Sequence, residues 1–416
     1  MDVEDGVGDE GVGGDVEVSA WKTASLGEIF DIARGGSPRP IQDYITDDED
    51  GVNWISISDA SASDKFITET KKRIRPEGVS RSRMVKPGDF LLTNSMSFGR
   101  PYIMGTSGCI HDGWLVLSSK HGDVDQDYFF HLLGSDFIYA KFTKLAAGAT
   151  VKNLNIDLVS GVEVNFPPLE EQRRIAAILD QAETLRTQRR QALAHLDTLT
   201  QSLFLEMFGD DAQGAPRFPV ATLVDVLETP LQNGAYYPKE EYTEKGGVEM
   251  VHMSDAFQGI VRRGALKRVN CSEADLKKYS LGVADILLAR RSLTYEGAAK
   301  PCLIPPATEP LLFESSFIRV TPDRTKLLPL YVLHYLNNET IRDKRVRPFV
   351  TQSTISGINQ SNLERVPVVV PPLALQQTFA TRIQAIEALK ATHRAALAQL
   401  DALFASLQQR AFAGEL

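Results

Sequence analysis

The amino-acid sequence predicts an α+β protein in which two similar globular domains are separated by two long antiparallel helices that form a coiled coil. Three observations predict this fold. One helical stretch occurs twice, further motifs recur in the same order, and each long helix has an uninterrupted heptad spacing. The chain therefore alternates globular unit, helix, globular unit, helix, with a pseudo-twofold internal repeat.

The clearest repeat is a stretch of twelve residues. Ala192–Leu203 (ALAHLDTLTQSL) and Ala396–Leu407 (ALAQLDALFASL) are identical at eight positions and lie 204 residues apart. In the globular parts, Ile57–Ala60 (ISDA) recurs as Met253–Ala256 (MSDA) after 196 residues. Short loop insertions account for the small change in offset, so the repeat extends over the globular units as well as the helices.

Each long helix is predicted to begin after a Pro-Pro pair, because proline is tolerated in the first turn of a helix. The predicted helices cover 169–208 and 373–412, and neither contains Gly or Pro. Their apolar residues alternate at spacings of four and three, which is typical of a coiled-coil seam. The residues predicted to pair the helices are Ile175, Leu179, Leu193, Leu196 and Leu203 in the first, and Phe379, Ile383, Ile386, Leu397, Leu400 and Leu407 in the second.

Basic residues interrupt both seams at equivalent places, namely Arg186 and Arg189 in the first helix and Lys390 and His393 in the second. Two interpretations are open. Long basic side chains can lie along the edge of a seam and extend their charged ends into water. Alternatively, these residues fix the register of the helix pair or bind a partner.

The globular units combine short apolar runs with turns rich in Gly, Pro, Asn and Ser. In the first unit we expect strands at Asn53–Ile57, Asp89–Thr93 and Trp114–Leu117, and a helix over Asp127–Leu145. In the second unit a helix is expected to begin at Leu330–Asn337. The order of the strands in the sheets does not follow from one sequence.

Charge is distributed unevenly along the chain. The formal net charge of the 416 residues is −9, but residues 1–20 contain seven acids and neither Lys nor Arg. The rest of the chain holds 47 acidic and 45 basic residues, so it can carry local basic patches. We expect 1–20 to be a disordered tail. Three scattered cysteines and the lack of a signal peptide or membrane span predict a cytoplasmic protein.

Motifs for catalysis, metal binding or nucleotide binding are missing from the sequence. It contains no GxxxxGK[ST], HExxH, CxxC or GxSxG pattern. A GxGxxG match at 6–11 has no preceding strand and no following helix, so it does not indicate a dinucleotide site. We therefore expect a chain that has no catalytic residues and binds no metal or cofactor by itself.

Polar and basic loops occur in both globular units and make DNA the favoured ligand. Arginine can bind guanine with two hydrogen bonds, and Asn or Gln can bind adenine in the same way, while Lys and Arg also neutralise phosphates. The candidate DNA-binding residues are Arg34, Ser37, Arg39, Lys72, Arg73, Ser95, Arg100 and Lys152 in the first unit, and Gln232, Asn233, Tyr236, Tyr237, Arg290, Arg291, Tyr295 and Gln352 in the second.

Four stretches resemble the specificity subunit of type I restriction–modification systems. Val162–Gln172 (VEVNFPPLEEQ) resembles the central junction of that family, and Ser202–Asp210 (SLFLEMFGD) resembles the end of its first conserved helix. Ala411–Leu416 (AFAGEL) resembles the end of its second conserved helix, and Gly148–Leu154 (GATVKNL) the stretch that closes a recognition domain. The second junction departs from the pattern, since it lacks the Glu pair.

The resemblance covers about 21–416 and implies a domain organisation. The acidic tail at 1–20 lies outside it and matches nothing in the family pattern. The resemblance implies the first target-recognition domain at 21–166, a central spacer helix at 167–209, the second target-recognition domain at 210–370 and a C-terminal spacer helix at 371–416. It also implies that each domain reads one half of a bipartite, asymmetric DNA site and that the helices set the gap between the halves.

The resemblance further implies partner subunits. Two methyltransferase subunits would dock on the chain and methylate an adenine in each half-site, using S-adenosylmethionine that they bind themselves. A restriction and translocation subunit using ATP and Mg²⁺ could join them.

Two other classes of function are compatible with the residues. One is a scaffold without DNA, in which the helices hold two protein-binding domains, and the negative net charge favours it mildly. The other is an enzyme of unrecognised type with duplicated sites. DNA binding differs from the scaffold in requiring a steep dependence on salt. The enzyme would show residual activity without partners, and the missing motifs weigh against it.

Overall fold

The computed structural model describes residues 21–94, 99–147, 153–210, 214–256, 259–306 and 308–416. The chain forms two compact units. The first consists of the residues up to Arg189 together with Ala396–Leu416, and the second of Arg190–Ala395. Each unit thus includes one part of each long helix. The predicted acidic tail and the candidate residues Ser95 and Lys152 lie outside the described residues.

Two five-stranded sheets and a strand pair form the first unit. In spatial order, one sheet contains Phe30–Arg34, Trp114–Ser119, Phe90–Thr93, Pro101–Met104 and Phe66–Ile67. The other contains Ile45–Thr46, Lys72–Ile74, Val52–Ile55, Gly108–Ile110 and Arg83–Val85. Lys22–Ser25 pairs antiparallel with Glu163–Phe166, which brings the beginning of the unit beside the start of the long helix.

The helices of the first unit correct two of our expectations. Before the long helix, the α-helices are Leu26–Ile29, Ile57–Ser61, Pro76–Val79, Gln126–Leu133, Asp136–Ala147 and Ile156–Ser160, and Ile41–Asp43 is a 3-10 helix. The helix expected over 127–145 is two helices, because Gly134 ends the first and the Ser135 hydroxyl accepts a hydrogen bond from the Ile138 amide at the start of the second. The expected strand at Asn53–Ile57 ends at Ile55, since the Ser56 side chain caps a helix there.

The second unit repeats this arrangement with four strands in each of its two main sheets. One sheet contains Leu227–Asn233, Phe317–Pro322, Ile286–Ala289 and Pro301–Leu303 in spatial order. The other contains Tyr242–Thr243, Arg268–Val269, Val248–Val251 and Leu311–Phe313. Two strand pairs complete it, Val220–Thr222 with Pro367–Val369 and Arg291–Ser292 with Ser356–Gly357. Its α-helices, apart from the long ones, are Glu273–Tyr279, Pro329–Asn337, Glu339–Ile341 and Gln360–Glu364.

The long helices span Leu169–Phe208, here called the central helix, and Leu373–Ala413, here called the C-terminal helix. Their contacts show antiparallel pairing within each unit. In the first unit, Arg174 bonds the Leu416 carbonyl at 2.6 Å and Arg186 bonds Asp401 at 2.7 Å. As the position along one helix increases, the position of its partner on the other decreases.

Pairing in the second unit has the same direction. Lys390 of the C-terminal helix lies 2.8 Å from Asp197 of the central helix, and Phe204 contacts Phe379 with ring centroids 5.5 Å apart. Among the eleven residues predicted to pair the helices, each is buried or half-buried. The heptad spacing read from the sequence therefore corresponds to the inward-facing side of both helices.

Two of the four basic interruptions of the seam, Lys390 and Arg186, form ion pairs between the helices. The Lys390 side chain is only 5% exposed and binds Asp197 and Glu387, each at 2.8 Å. Its burial acts to lower its pKa, but the hydrogen bonds to these two carboxylates outweigh the burial and the pKa is raised. Arg186 lies over the Phe404 ring at 4.4 Å and pairs with Asp401. These contacts fit a register-fixing role, whereas Lys390 does not extend into water.

A buried glutamine joins each long helix to its globular domain. Gln172 is fully buried; its side chain accepts a hydrogen bond from the Asp125 amide at 2.8 Å and donates to the carbonyls of Asp123 and Pro167. Gln376 repeats all three bonds in the second unit, with Leu328, Lys326 and Pro371 as partners. The amide side chain thus satisfies buried backbone groups of the helix start and of the loop that precedes a helix of the domain.

Replacing Gln172 by Ala leaves one amide and two carbonyls without their partner, so we expect the first unit to lose about 1–3 kcal/mol of unfolding free energy. All three tryptophans, Trp21, Trp54 and Trp114, belong to this unit, so urea unfolding followed by tryptophan fluorescence reports on it. Gln181→Ala, at an exposed position of the same helix, is the matched control and should leave the midpoint unchanged. Equal urea midpoints for Gln172→Ala and Gln181→Ala would show that the hydrogen bonds of Gln172 do not stabilise the first unit.

A cluster of charged and polar side chains also joins the central helix to the globular part of the first unit. Asp180 of the central helix bonds His131 at 2.7 Å and Lys65 at 3.0 Å, and the His131 side chain is 4% exposed. Partial burial acts to raise the pKa of Asp180, but the hydrogen bonds from His131 and Lys65 outweigh it and hold the pKa below its ordinary value of 3.8. The carboxylate form therefore stabilises the folded unit.

Because the folded-state pKa of Asp180 is depressed, its contribution is present above its unfolded-state pKa and is lost as the pH falls through its folded-state pKa. We expect Asp180→Asn to destabilise the first unit at neutral pH and to reduce the dependence of its stability on pH below about 4. Urea midpoints by tryptophan fluorescence across this range measure both effects. Glu69→Gln, at an exposed position, serves as the control, and a pH profile as steep in Asp180→Asn as in the wild type would refute the assignment.

Candidate nucleic-acid interface

A glycine turn ends the first long strand of the first unit. The Gly35 amide donates to the Trp114 carbonyl at 3.0 Å and the Gly36 amide to the Ile110 carbonyl at 3.1 Å. A Cβ atom on Gly35 would lie 2.0 Å from the His111 carbonyl oxygen. Only glycine permits this approach, so the turn containing Ser37 and Arg39 lies directly on the turn at 111–113.

The second unit has the same construction. Gly234 donates to the Phe317 carbonyl at 3.3 Å and Ala235 to the Phe313 carbonyl at 2.9 Å. A Cβ atom on Gly234 would lie 2.2 Å from the Glu314 carbonyl oxygen. The backbone of both turns is therefore held alike, although their side chains differ.

A third segment carries Asn94 in the first unit and Arg290 in the second. In each unit this residue bonds the turn that faces the glycine turn. The Asn94 amide donates to the Gly113 carbonyl, its side chain donates to the Asp112 carbonyl at 2.9 Å, and its own carbonyl accepts from the Leu154 amide. Arg290 makes the equivalent bonds in the second unit, to Ser316, Ser315 and Ile358. Three loops therefore meet at one end of the sheet in each unit.

The predicted residues Arg34, Ser37 and Arg39 converge on Asp112 in the first unit. Ser37 donates to one carboxylate oxygen at 2.9 Å, Arg39 bonds the other at 3.2 Å, and Arg34 donates to the backbone carbonyl. Partial burial acts to raise the pKa of Asp112, but the Ser37 hydrogen bond and the Arg39 charge outweigh it and lower the pKa. The sequence analysis did not include Asp112 among the candidate residues. Its position in a turn directly before a strand was the signal that could have identified it.

The remaining candidates of the first unit are less concentrated. Lys72 and Arg73 are exposed on a strand of the other sheet and are separated from Gly108–Ile110 by one strand. Arg100 is exposed, with its guanidinium 5.2 Å from the centre of the Tyr102 ring. None of these three is among the residues bonded to Asp112.

In the second unit the candidates divide into exposed and packed residues. Tyr236 is 81% exposed, and Arg291 and Gln352 are also exposed. By contrast, the Gln232 side chain accepts a hydrogen bond from Arg319, and the Tyr295 hydroxyl donates to the Arg347 carbonyl at 2.9 Å.

Two further candidates that are not exposed, Asn233 and Tyr237, are both half-buried. Asn233 is half-buried, and its side-chain oxygen makes no hydrogen bond to any residue that the structure describes. Burial raises the pKa of Tyr237. Tyr236, Arg291 and Gln352 are thus the candidates of the second unit that are exposed.

The described part of the chain contains no group of His, Cys, Asp and Glu side chains that could hold a metal ion. It also contains no helix long and apolar enough to cross a membrane. The arrangement offers hydrogen-bond donors, acceptors and cations on two similar loop clusters, which suits recognition of a polar, anionic ligand.

The chain belongs to the family described as the type I restriction modification DNA specificity domain. The family model matches twice, at residues 18–195 and 218–402, so both halves of the repeat belong to it. The chain is accordingly a specificity subunit of the type I class, which implies recognition of DNA sequence and a non-catalytic part in the restriction–modification complex.

Relatives and solved structures agree with this assignment. The specificity subunits of the type I restriction enzymes EcoKI of Escherichia coli and StySPI of Salmonella potsdam are each 23% identical, over 95% of this chain and 89% of theirs. A structure from a study of the assembly of a type I restriction–modification system has a TM-score of 0.59 at 18% identity, covering 95% of this chain and 98% of that one. The S subunit of a type I restriction–modification system from M. genitalium has a TM-score of 0.51 at 14% identity, covering 95% of this chain and 97% of that one. At these identities the structures support the fold alone.

Proposed function

We propose that each unit reads one half of a bipartite, asymmetric DNA site, and that the paired helices set the gap between the halves. One observation carries this proposal: the same backbone scaffold presents different side chains in the two units. The turn at 35–39 carries Ser37 and Arg39, whereas the equivalent turn at 234–238 carries Tyr236. Two domains that recognise different base sequences can use the same backbone framework, but they need different side chains to contact the bases.

The proposal includes the partner subunits and their cofactors. Two methyltransferase subunits dock on this chain and methylate an adenine in each half-site with S-adenosylmethionine that they bind themselves. A restriction subunit using ATP and Mg²⁺ joins them for cleavage. The chain works in the cytoplasm, where its DNA substrate is located, and takes no catalytic part.

A methylation map tests the proposal directly. The chain is co-expressed with its methyltransferase subunit in a bacterial host that lacks adenine methylation, and the genome is sequenced for modified adenines. We expect a single split motif that is modified in both halves and is absent when this chain is omitted. A soluble complex that modifies no motif would contradict the proposal and favour the scaffold function.

Exposed Arg291 should contribute to the second half-site. We expect Arg291→Ala to weaken binding of the mapped duplex and, if the contact is to a phosphate, to reduce the slope of log affinity against log salt by about 1. Fluorescence anisotropy at several salt concentrations measures both. Arg324→Ala is the matched control, because this exposed arginine follows the opposite end of the strand Phe317–Pro322. Equal effects of the two substitutions would remove Arg291 from the interface.

A further inference from the structure

Arg342 in the second unit is a fully buried arginine that binds only backbone carbonyls. One terminal nitrogen donates to the carbonyls of Ala299 and Leu336, each at 3.0 Å. The other donates to those of Glu296 and Ala298, at 2.9 and 2.7 Å. Three of the four acceptors belong to the loop at 290–299, which carries Arg291.

This arrangement is costly, because a buried guanidinium loses its hydration. Burial lowers the pKa of Arg342, and the charge of Glu339 only partly opposes this. Within the described residues Arg342 forms no ion pair, so its charge is balanced chiefly by the carbonyl dipoles. Since an apolar residue would avoid this cost, the contacts with the loop explain the presence of arginine here.

The loop at 290–299 is held at other points as well. Arg291–Ser292 pairs with Ser356–Gly357 as a short strand pair, and the Ser292 hydroxyl accepts a hydrogen bond from the Thr294 amide at 3.1 Å. Nevertheless Leu293 at the tip is 86% exposed. A fixed loop with an exposed leucine and an exposed arginine can present one apolar and one cationic contact to a DNA groove.

We propose that Arg342 is a positioning residue for DNA recognition: it holds the loop at 290–299 in the conformation that discriminates the bases of the second half-site. This inference rests on the proposed function. Arg342 itself touches no DNA and acts through Leu293 and Arg291.

Among the residues that the structure describes, the first unit has no arginine at the equivalent position. Ser135 and Asn338 cap equivalent helices, since their side chains accept hydrogen bonds from the amides of Ile138 and Ile341. Counted from these caps, the position of Arg342 corresponds to Tyr139, which is 49% exposed. Loss of Arg342 should therefore affect one half-site and leave the other unchanged.

The test uses the full chain in complex with its methyltransferase subunits, after the methylation map has defined the site. Duplexes carrying one wrong base pair in either half are methylated by the wild type and by Arg342→Met. We expect the variant to lose discrimination in the second half by about tenfold per wrong base pair, and to keep it in the first half. Arg345→Met is the matched control, because Arg345 is also buried but binds Asp210 and Tyr335 and makes no bond to the loop.

Each outcome decides the inference. Unchanged discrimination in the second half, equal loss in both halves, or the same loss in Arg345→Met would overturn it. If Arg342→Met does not assemble, the comparison is made with Arg342→Lys, which keeps the charge but cannot reach all four carbonyls. Failure of both variants to assemble would show that Arg342 serves folding alone. A wild-type complex that methylates no split motif would instead contradict the proposed function.

Discussion

The structure depends on a buried amide at the start of each long helix. Gln172 and Gln376 each saturate one backbone donor and two backbone acceptors, and so fix the direction in which the helix leaves its domain. In each unit the glutamine thus ties the start of one long helix to the domain that carries the polar loops. The proposed spacer function requires such a fixed helix start.

Much of the fold was predictable because it rests on periodic patterns. The long helices were predicted to within one residue, since heptad spacing and the Pro-Pro starts are local signals. The break at Gly134–Ser135 and the capped helix at Ile57 were missed, because single capping residues outweighed the propensity of the flanking sequence. Strand order could not be predicted, since it depends on contacts between residues far apart in sequence.

The candidate site was predictable only in part, because composition reveals polar and basic loops but not their contacts. Composition identified the loops with Arg34, Ser37 and Arg39, but not the acid on which they converge. It also could not separate Arg291, which is exposed, from Arg290, which ties three loops together. A sequence shows which residues are able to bind DNA, whereas burial and hydrogen bonding decide which of them are already engaged.

The division of the chain has a consequence for its biosynthesis. The second unit is a continuous segment, whereas the first is completed by Ala396–Leu416, where Phe412 packs on Tyr128 with ring centroids 5.8 Å apart. Translation delivers that segment only after the whole second unit has emerged from the ribosome. The domain synthesised first is thus the one finished last, which reverses the usual vectorial order of folding and exposes its unfinished core to chaperones for longer.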